Sequence, residues 1–136
     1  MDPQAANSIP LLAVLSPKVR AEVLENARHR TFAPGDVVVR EGESALHFYI
    51  VASGHARIER ADQGLVARLG PGDFFGELAL IEEHDRTATV SAEDELTCYL
   101  VPAWDFRALL KEHPEMALPM LEALIARIHR REHHPA

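Results

Sequence analysis

The chain has 136 residues, 47% of them apolar, and a net charge of −7 at neutral pH. A chain of that length and apolar content buries roughly two-thirds of its unfolded surface as one domain, which excludes disorder. The acidic balance argues against a general nucleic-acid or anionic-membrane surface, and the single cysteine, Cys98, excludes an internal disulfide and a cysteine-rich zinc site.

Met1-Asp2-Pro3 lacks the basic start and following apolar core of a secretory signal. The apolar run from Ile9 to Leu15 contains Pro10 and stops at Ser16, far short of the ~20 residues that span a bilayer. The expectation is a soluble, cytoplasmic protein without membrane attachment of its own. Ser16-Pro17 reads as a helix start, with Ser16 as N-cap and Pro17 in the first turn. Val19, Val23, Leu24 and Ala27 then form an apolar face, with Lys18, Arg20, Glu22 and Glu25 largely outside it.

From Thr31 to Val101 short β-rich runs alternate with turn signals, among them Pro34-Gly35-Asp36, Ser53-Gly54, Asp62-Gln63-Gly64 and Gly70-Pro71-Gly72-Asp73. Many short strands at such spacing predict a β-sandwich, jelly roll or barrel. Cys98 falls in step with Leu96 and Leu100 at a period of two, the pattern of a small buried hydrophobe in a strand.

Helical spacing returns after Val101. Pro102 is placed to open a helix carrying Trp104, Phe106, Leu109 and Leu110, which His113-Pro114 ends. A last helix is expected from about Pro114 to Arg131, with Leu121, Leu124, Ile125 and Ile128 on one stripe. Pro119 inside that stretch predicts a kink or a later start. The organisation read from the chain is one domain over 1–136, with a helical segment over 9–30, β structure over 31–101 and helices over 102–132.

The most informative segment runs from Phe74 to Val90, with Phe75-Gly76-Glu77-Leu78-Ala79-Leu80-Ile81 at its start and Arg86-Thr87-Ala88 near its end. Gly76 lets a backbone approach a ligand closely, and a short helix beginning there aims N–H groups at an anion. Arg86 adds a permanent charge with a planar fork suited to phosphate oxygens. Glu77 suits sugar hydroxyls better than phosphate. An anion and a diol bound side by side describe a phosphorylated ribose.

This segment resembles the phosphate-binding cassette of the cyclic nucleotide-binding domain family: Phe-Gly-Glu, an aliphatic residue, Ala, two aliphatics, a short variable loop, then Arg-(Ser/Thr/Ala)-Ala. Every fixed position is matched. Upstream, Pro34-Gly35-Asp36 and Glu41-Gly42-Glu43 are similar to two further family elements, and Phe48 to Gly54 to its next strand and turn. The resemblance therefore covers nearly the whole chain. It implies an eight-stranded β-roll (jelly-roll-like) with an N-terminal helix and two C-terminal helices, of the bacterial type, binding cAMP or cGMP as ligand and needing no cofactor.

Residue by residue, the resemblance implies a phosphate site at Arg86 and a ribose 2′-hydroxyl acceptor at Glu77. Phe75, Gly76, Leu78, Ala79 and Ala88 complete the wall, chiefly through backbone groups. Thr87 is a strand residue on its own evidence; in the family its hydroxyl donates to phosphate and also reaches a syn guanine, which leaves cAMP against cGMP open. Ile58, Val66 and Leu69 are equally a shelf for the base or core residues. Arg127 lies thirteen residues past Pro114, where bacterial channel relatives carry an arginine that stacks on the purine. A solvated arginine near a helix C-terminus explains it as well.

Eight histidines invite a metal reading, but the His-x-His and Glu grouping of metal-binding jelly rolls is missing, and no metal site is expected. No Ser/His/Asp or Cys/His constellation has supporting context, so an enzyme is not expected either. Only about thirty-five residues follow the last strand, too few for a second helical unit to enter a DNA groove. The expected function is a cyclic nucleotide sensor whose C-terminal helices move on binding and regulate an effector protein or domain. The alternatives are a degenerate fold kept for protein interaction, or a sensor domain excised from a channel or transcription regulator.

Overall fold

The computed structural model describes residues 10–44, 46–76, 86 and 88–132. Helix α1 (Pro10–Ala13) and helix α2 (Pro17–Asn26) precede eight strands. These are β1 (Arg28–Phe32), β2 (Val37–Val39), β3 (His47–Ser53), β4 (Ala56–Arg60), β5 (Gly64–Leu69), β6 (Phe74–Phe75), β7 (Thr89–Ala92) and β8 (Leu96–Pro102). Helix α3 (Ala103–Glu112), a 3₁₀ turn (Pro114–Met116) and helix α4 (Ala117–Glu132) follow. The strands form two four-stranded antiparallel sheets, ordered β1-β8-β3-β6 and β2-β7-β4-β5. This is the expected β-roll with flanking helices.

Two cores lie on opposite faces of the first sheet. Phe48 and Ile50 of β3 and Tyr99 and Val101 of β8 join Leu11, Leu12, Phe74, Phe106, Met116 and Met120 in a helix-side core. Tyr49 and Val51, with Leu96, Cys98 and Leu100, point the other way and meet Phe32, Ile58, Leu69, Phe75 and Val90 between the sheets. A strand covered on both faces needs apolar residues at consecutive positions. The run Phe48-Tyr49-Ile50-Val51 therefore carries no polar alternation. Phe106 of α3 stacks on Phe48 with ring centroids 4.0 Å apart, which fixes the helices on this sheet. Burial pushes the Cys98 thiol up to about 12, so it is an inert core group.

Ser16 caps α2 by accepting from the Val19 N–H, as its sequence predicts. Two boundaries differ from the sequence reading. The N-terminal helical segment ends at Asn26 rather than 30, and β1 begins at Arg28 rather than 31. Arg28 to Thr31 are all exposed, so no apolar alternation marks them as strand. Their extended form comes from pairing with β8, from Arg28 opposite Leu100 to Phe32 opposite Leu96. At the other end Pro114 opens a 3₁₀ turn and α4 starts at Ala117, later than Pro114. Pro119 thus sits in the first turn, where a missing N–H leaves no helical bond unmade.

The stripe expected on the last helix is turned differently. Of Leu121, Leu124, Ile125 and Ile128, only Leu124 packs against the core; the other three are exposed. The docked face runs instead through Met120, Ala123 and Leu124. Apolar spacing identified the helix correctly but could not say which of two apolar faces meets the sheet.

Candidate functional site

The site is built where β6 leaves the first sheet. The turn before it is pinned from both sides: Asp73 accepts from the Gly70 N–H at 2.8 Å, and Val51 exchanges backbone bonds with Gly72 and Asp73. Strand β6 then pairs with β3, Phe75 opposite Tyr49 and Phe74 opposite Ile50. Its two adjacent phenylalanines point into the two different cores, which fixes the rotation of the chain as it enters Gly76.

Gly76 is at φ +89°, the left-handed region that favours glycine. Space demands glycine too. A Cβ there would overlap Nη1 of Arg86 and lie 3.2 Å from the His47 carbonyl oxygen. Gly76 is therefore the lid over a buried arginine.

Arg86 is 6% exposed, and among the described residues it is the one charged residue that is buried. Its main chain is clamped to the loop before β3: the Arg86 N–H donates to the Glu43 carbonyl and the Gly42 N–H donates to the Arg86 carbonyl, both at 2.8 Å. The Glu41-Gly42-Glu43 element thus aligns the arginine. Its guanidinium donates from Nη1 to the Gly76 carbonyl at 3.3 Å and from Nη2 to the His47 carbonyl, and lies 5.6 Å from the centroid of the Tyr49 ring. Burying a cation is costly unless polar atoms replace its water. Two carbonyl dipoles and an aromatic face do part of that here. Tyr49 is itself held flat by Phe75, with centroids 4.7 Å apart and planes 5° from parallel.

The local field follows from that charge. Burial first, then the positive charges of Arg28 and Arg86, hold the His47 imidazole below its usual range. Burial raises the Tyr49 phenol, with Arg86 opposing. Both groups are neutral near pH 7 beside a permanent cation, an arrangement suited to receiving an anion.

The remaining sequence candidates fall as follows. The Phe75 side chain is in the inter-sheet core beneath Tyr49, so it supports the platform. Ala88 is half-buried against the same core. Glu77, Leu78, Ala79 and Thr87 lie outside the described residues. Ile58 and Leu69 are buried in the inter-sheet core, and Val66 packs against it. Arg127 is not a solvated arginine: it donates to the Phe74 carbonyl at 2.6 Å and its guanidinium lies 5.5 Å from the centroid of the Phe74 ring. It ties α4 to the strand that carries Gly76. His47 and Tyr49 were not singled out as site residues in the sequence. Their signal was hidden in a strand that reads simply as core.

Among the described residues no three His, Cys, Asp or Glu side chains gather as a metal site. No described helix is long and apolar enough to cross a membrane.

The model of the cyclic nucleotide-binding domain matches residues 29–113. The chain belongs to the cyclic nucleotide-binding domain family. It is 35% identical over 114 residues to a cyclic nucleotide-gated potassium channel of Mesorhizobium japonicum, covering 84% of this chain and 31% of that one. It is 34% identical over 106 residues to a cAMP-dependent protein kinase regulatory subunit of Blastocladiella emersonii, covering 75% of this chain and 26% of the relative. The chain thus spans under a third of the length of these curated relatives. Among solved structures, the cAMP-bound regulatory domain of the Toxoplasma gondii PKA superposes with a TM-score of 0.79 at 27% identity, over 88% of this chain and 48% of that one. The chain has the fold of a cyclic nucleotide-binding domain.

Proposed function

We propose that this chain is a cytoplasmic, non-catalytic sensor that binds cAMP or cGMP and reports occupancy through its C-terminal helices. The observation that carries the reading is the buried Arg86 guanidinium beneath Gly76, clamped in place by the loop at Gly42 and Glu43. A buried fixed cation next to a backbone turn is suited to the cyclic phosphate. In this reading Arg86 holds that phosphate. Backbone N–H groups of Gly76, Leu78, Ala79 and Ala88 assist it, and the Thr87 hydroxyl adds a donor. Glu77 accepts from the ribose 2′-hydroxyl.

Arg127 supplies the link to output. In the structure it bonds to the Phe74 carbonyl, two residues before Gly76. A cassette drawn in by ligand would displace that carbonyl, pull on α4 and let the arginine cover the purine face. The movement would be read by a partner chain or effector domain. The relatives include a gated channel and kinase regulatory subunits. Arg86 and Glu77 offer binding groups and no bond-breaking chemistry, which supports a sensor over an enzyme.

Calorimetric titration with cAMP and with cGMP tests this, on the wild type and on Arg86→Ala and Arg86→Lys. Binding of at least one nucleotide by the wild type is expected, with a loss of about 3 kcal/mol in the alanine variant, as for a charge-assisted contact in a closed pocket. No heat and no thermal shift with either nucleotide would leave a fold kept for protein interaction.

A further inference from the structure

The two sheets use their arginines differently. On the second sheet each is paired: Arg57 with Glu59 and Glu93, Arg60 with Asp62, and Arg68 with Glu93 at 2.8 Å. On the first sheet, edge strand β1 carries Arg28 and Arg30, both exposed, and among the described residues neither has a carboxylate partner. Register decides which way they point. Arg28 is level with Leu100, which is level with Tyr49, and Arg30 is level with Cys98. Tyr49, Cys98, Leu100 and Phe32 face the space between the sheets. Side chains alternate along a strand, so Arg28 and Arg30 lie on the same face as the Tyr49 ring beneath Arg86. His29 points the other way, onto Tyr99 of the helix-side core. The Arg30 guanidinium is held 4.8 Å from the centroid of the Phe32 ring.

Strand β8 alone separates β1 from β3, a spacing of about 10 Å. That is about one Debye length at 0.1 M salt, so the charges reach the site. After burial, Arg28 and then Arg86 hold the His47 imidazole down, and Arg30 acts with Arg86 on the Tyr49 phenol. Charged side chains on an edge strand also discourage pairing with another chain. That role is indifferent to the face they occupy, whereas both arginines here share the face of Arg86.

We propose that Arg28 and Arg30 form a cationic rim that draws the anionic ligand toward Arg86 and raises its rate of capture. The proposal rests on the nucleotide-binding reading above. In a chain of net charge −7 the overall field repels an anion, and two unneutralised arginines reverse it locally. Arg86 is buried and bonded to two carbonyl dipoles, which offset part of its charge toward solvent. The exposed pair attracts and the buried arginine holds. The rim acts by charge at a distance and not by bonding the phosphate, so it does not need the planar fork of an arginine.

Stopped-flow fluorescence with cAMP and with cGMP, each carrying a fluorophore on the purine, tests the rim. Arg28→Gln/Arg30→Gln should lower the association rate constant about fivefold at ~20 mM salt and leave the dissociation rate unchanged. The difference should shrink below about twofold at ~0.5 M salt. Arg28→Lys/Arg30→Lys should restore the wild-type rate. Lys18→Gln/Lys111→Gln removes the same charge from exposed positions on α2 and α3 and should leave the association rate within about twofold. A rate indifferent to the glutamine pair at low salt, one lowered equally by the helix pair, or one the lysine pair fails to restore overturns the rim and leaves nucleotide binding standing. A loss carried by faster dissociation overturns it too, because the arginines would then be contacts of the bound ligand. Failure of the wild type to bind either nucleotide at any salt would remove the sensor reading and the rim together.

Discussion

The two ends of the proposed signal are built in opposite ways. At Arg86 both backbone groups are bonded to the loop before β3, the side chain lies over Tyr49, and Gly76 closes it from above. Helix α4 is held on one face by Met120, Ala123, Leu124 and the Arg127 bond, while its other face is open. In the proposed function the first region would receive a charge, which requires donors set in advance so that little reorganisation accompanies binding. The second, in that proposal, would transmit a displacement, which requires contacts few enough to be exchanged. The Arg127–Phe74 bond is where the two meet.

The largest expected effect is on the rigid side, where Arg86→Ala should weaken nucleotide binding by about 3 kcal/mol, measured by titration calorimetry. Arg86→Lys should recover only part of this, because an ammonium lacks the planar fork. Next comes Gly76→Ala, which must adopt a left-handed backbone with its Cβ on the Arg86 guanidinium. A stability loss of about 2 kcal/mol is expected, read from thermal or urea unfolding. An unchanged midpoint would show that the lid over Arg86 gives way easily, and the contrast between the two regions would weaken.

On the transmitting side, Arg127→Ala should cost about 1 kcal/mol of apo stability through the lost bond to Phe74. It should also weaken nucleotide binding by about tenfold, through loss of the cover on the base. Equal affinity in variant and wild type would assign Arg127 to holding α4 alone. The smallest effect concerns His47, whose folded pKa lies below its ordinary value of 6.5. The unfolded chain therefore binds that proton first. The stability linked to neutral His47 is fully present above about pH 6.5 and is lost as pH falls through the lower folded value. His47→Asn should flatten the difference in melting temperature between about pH 7.5 and about pH 5.

Gly76 and Arg86, the part of the candidate site that the structure describes most fully, were legible in the chain because their residue types are chemically singular. A glycine with a positive φ, a buried arginine and an Asp-closed turn each leave a mark at one position. His47 and Tyr49 left none. His47 contributes a backbone carbonyl, which any residue carries, and Tyr49 contributes a ring face within a run of core residues. The Glu41-Gly42-Glu43 element was visible as a motif, but its purpose, two backbone bonds to Arg86 some forty residues later, was not.

The sequence by itself determined the succession of helix, strands and helices, the cap at Ser16, an irregularity of the last helix at Pro119 (a kink or a later start) and the family to which the chain belongs. These depend on local chemistry: periodicity, missing N–H groups and turn residues. Tertiary structure alone decided that Arg28 to Thr31 form a strand, that Arg127 bonds to Phe74, and that Leu121, Ile125 and Ile128 face away from the core. Each depends on a partner distant in sequence. A pattern of side chains can announce an apolar face, but only the packed fold chooses which face is covered.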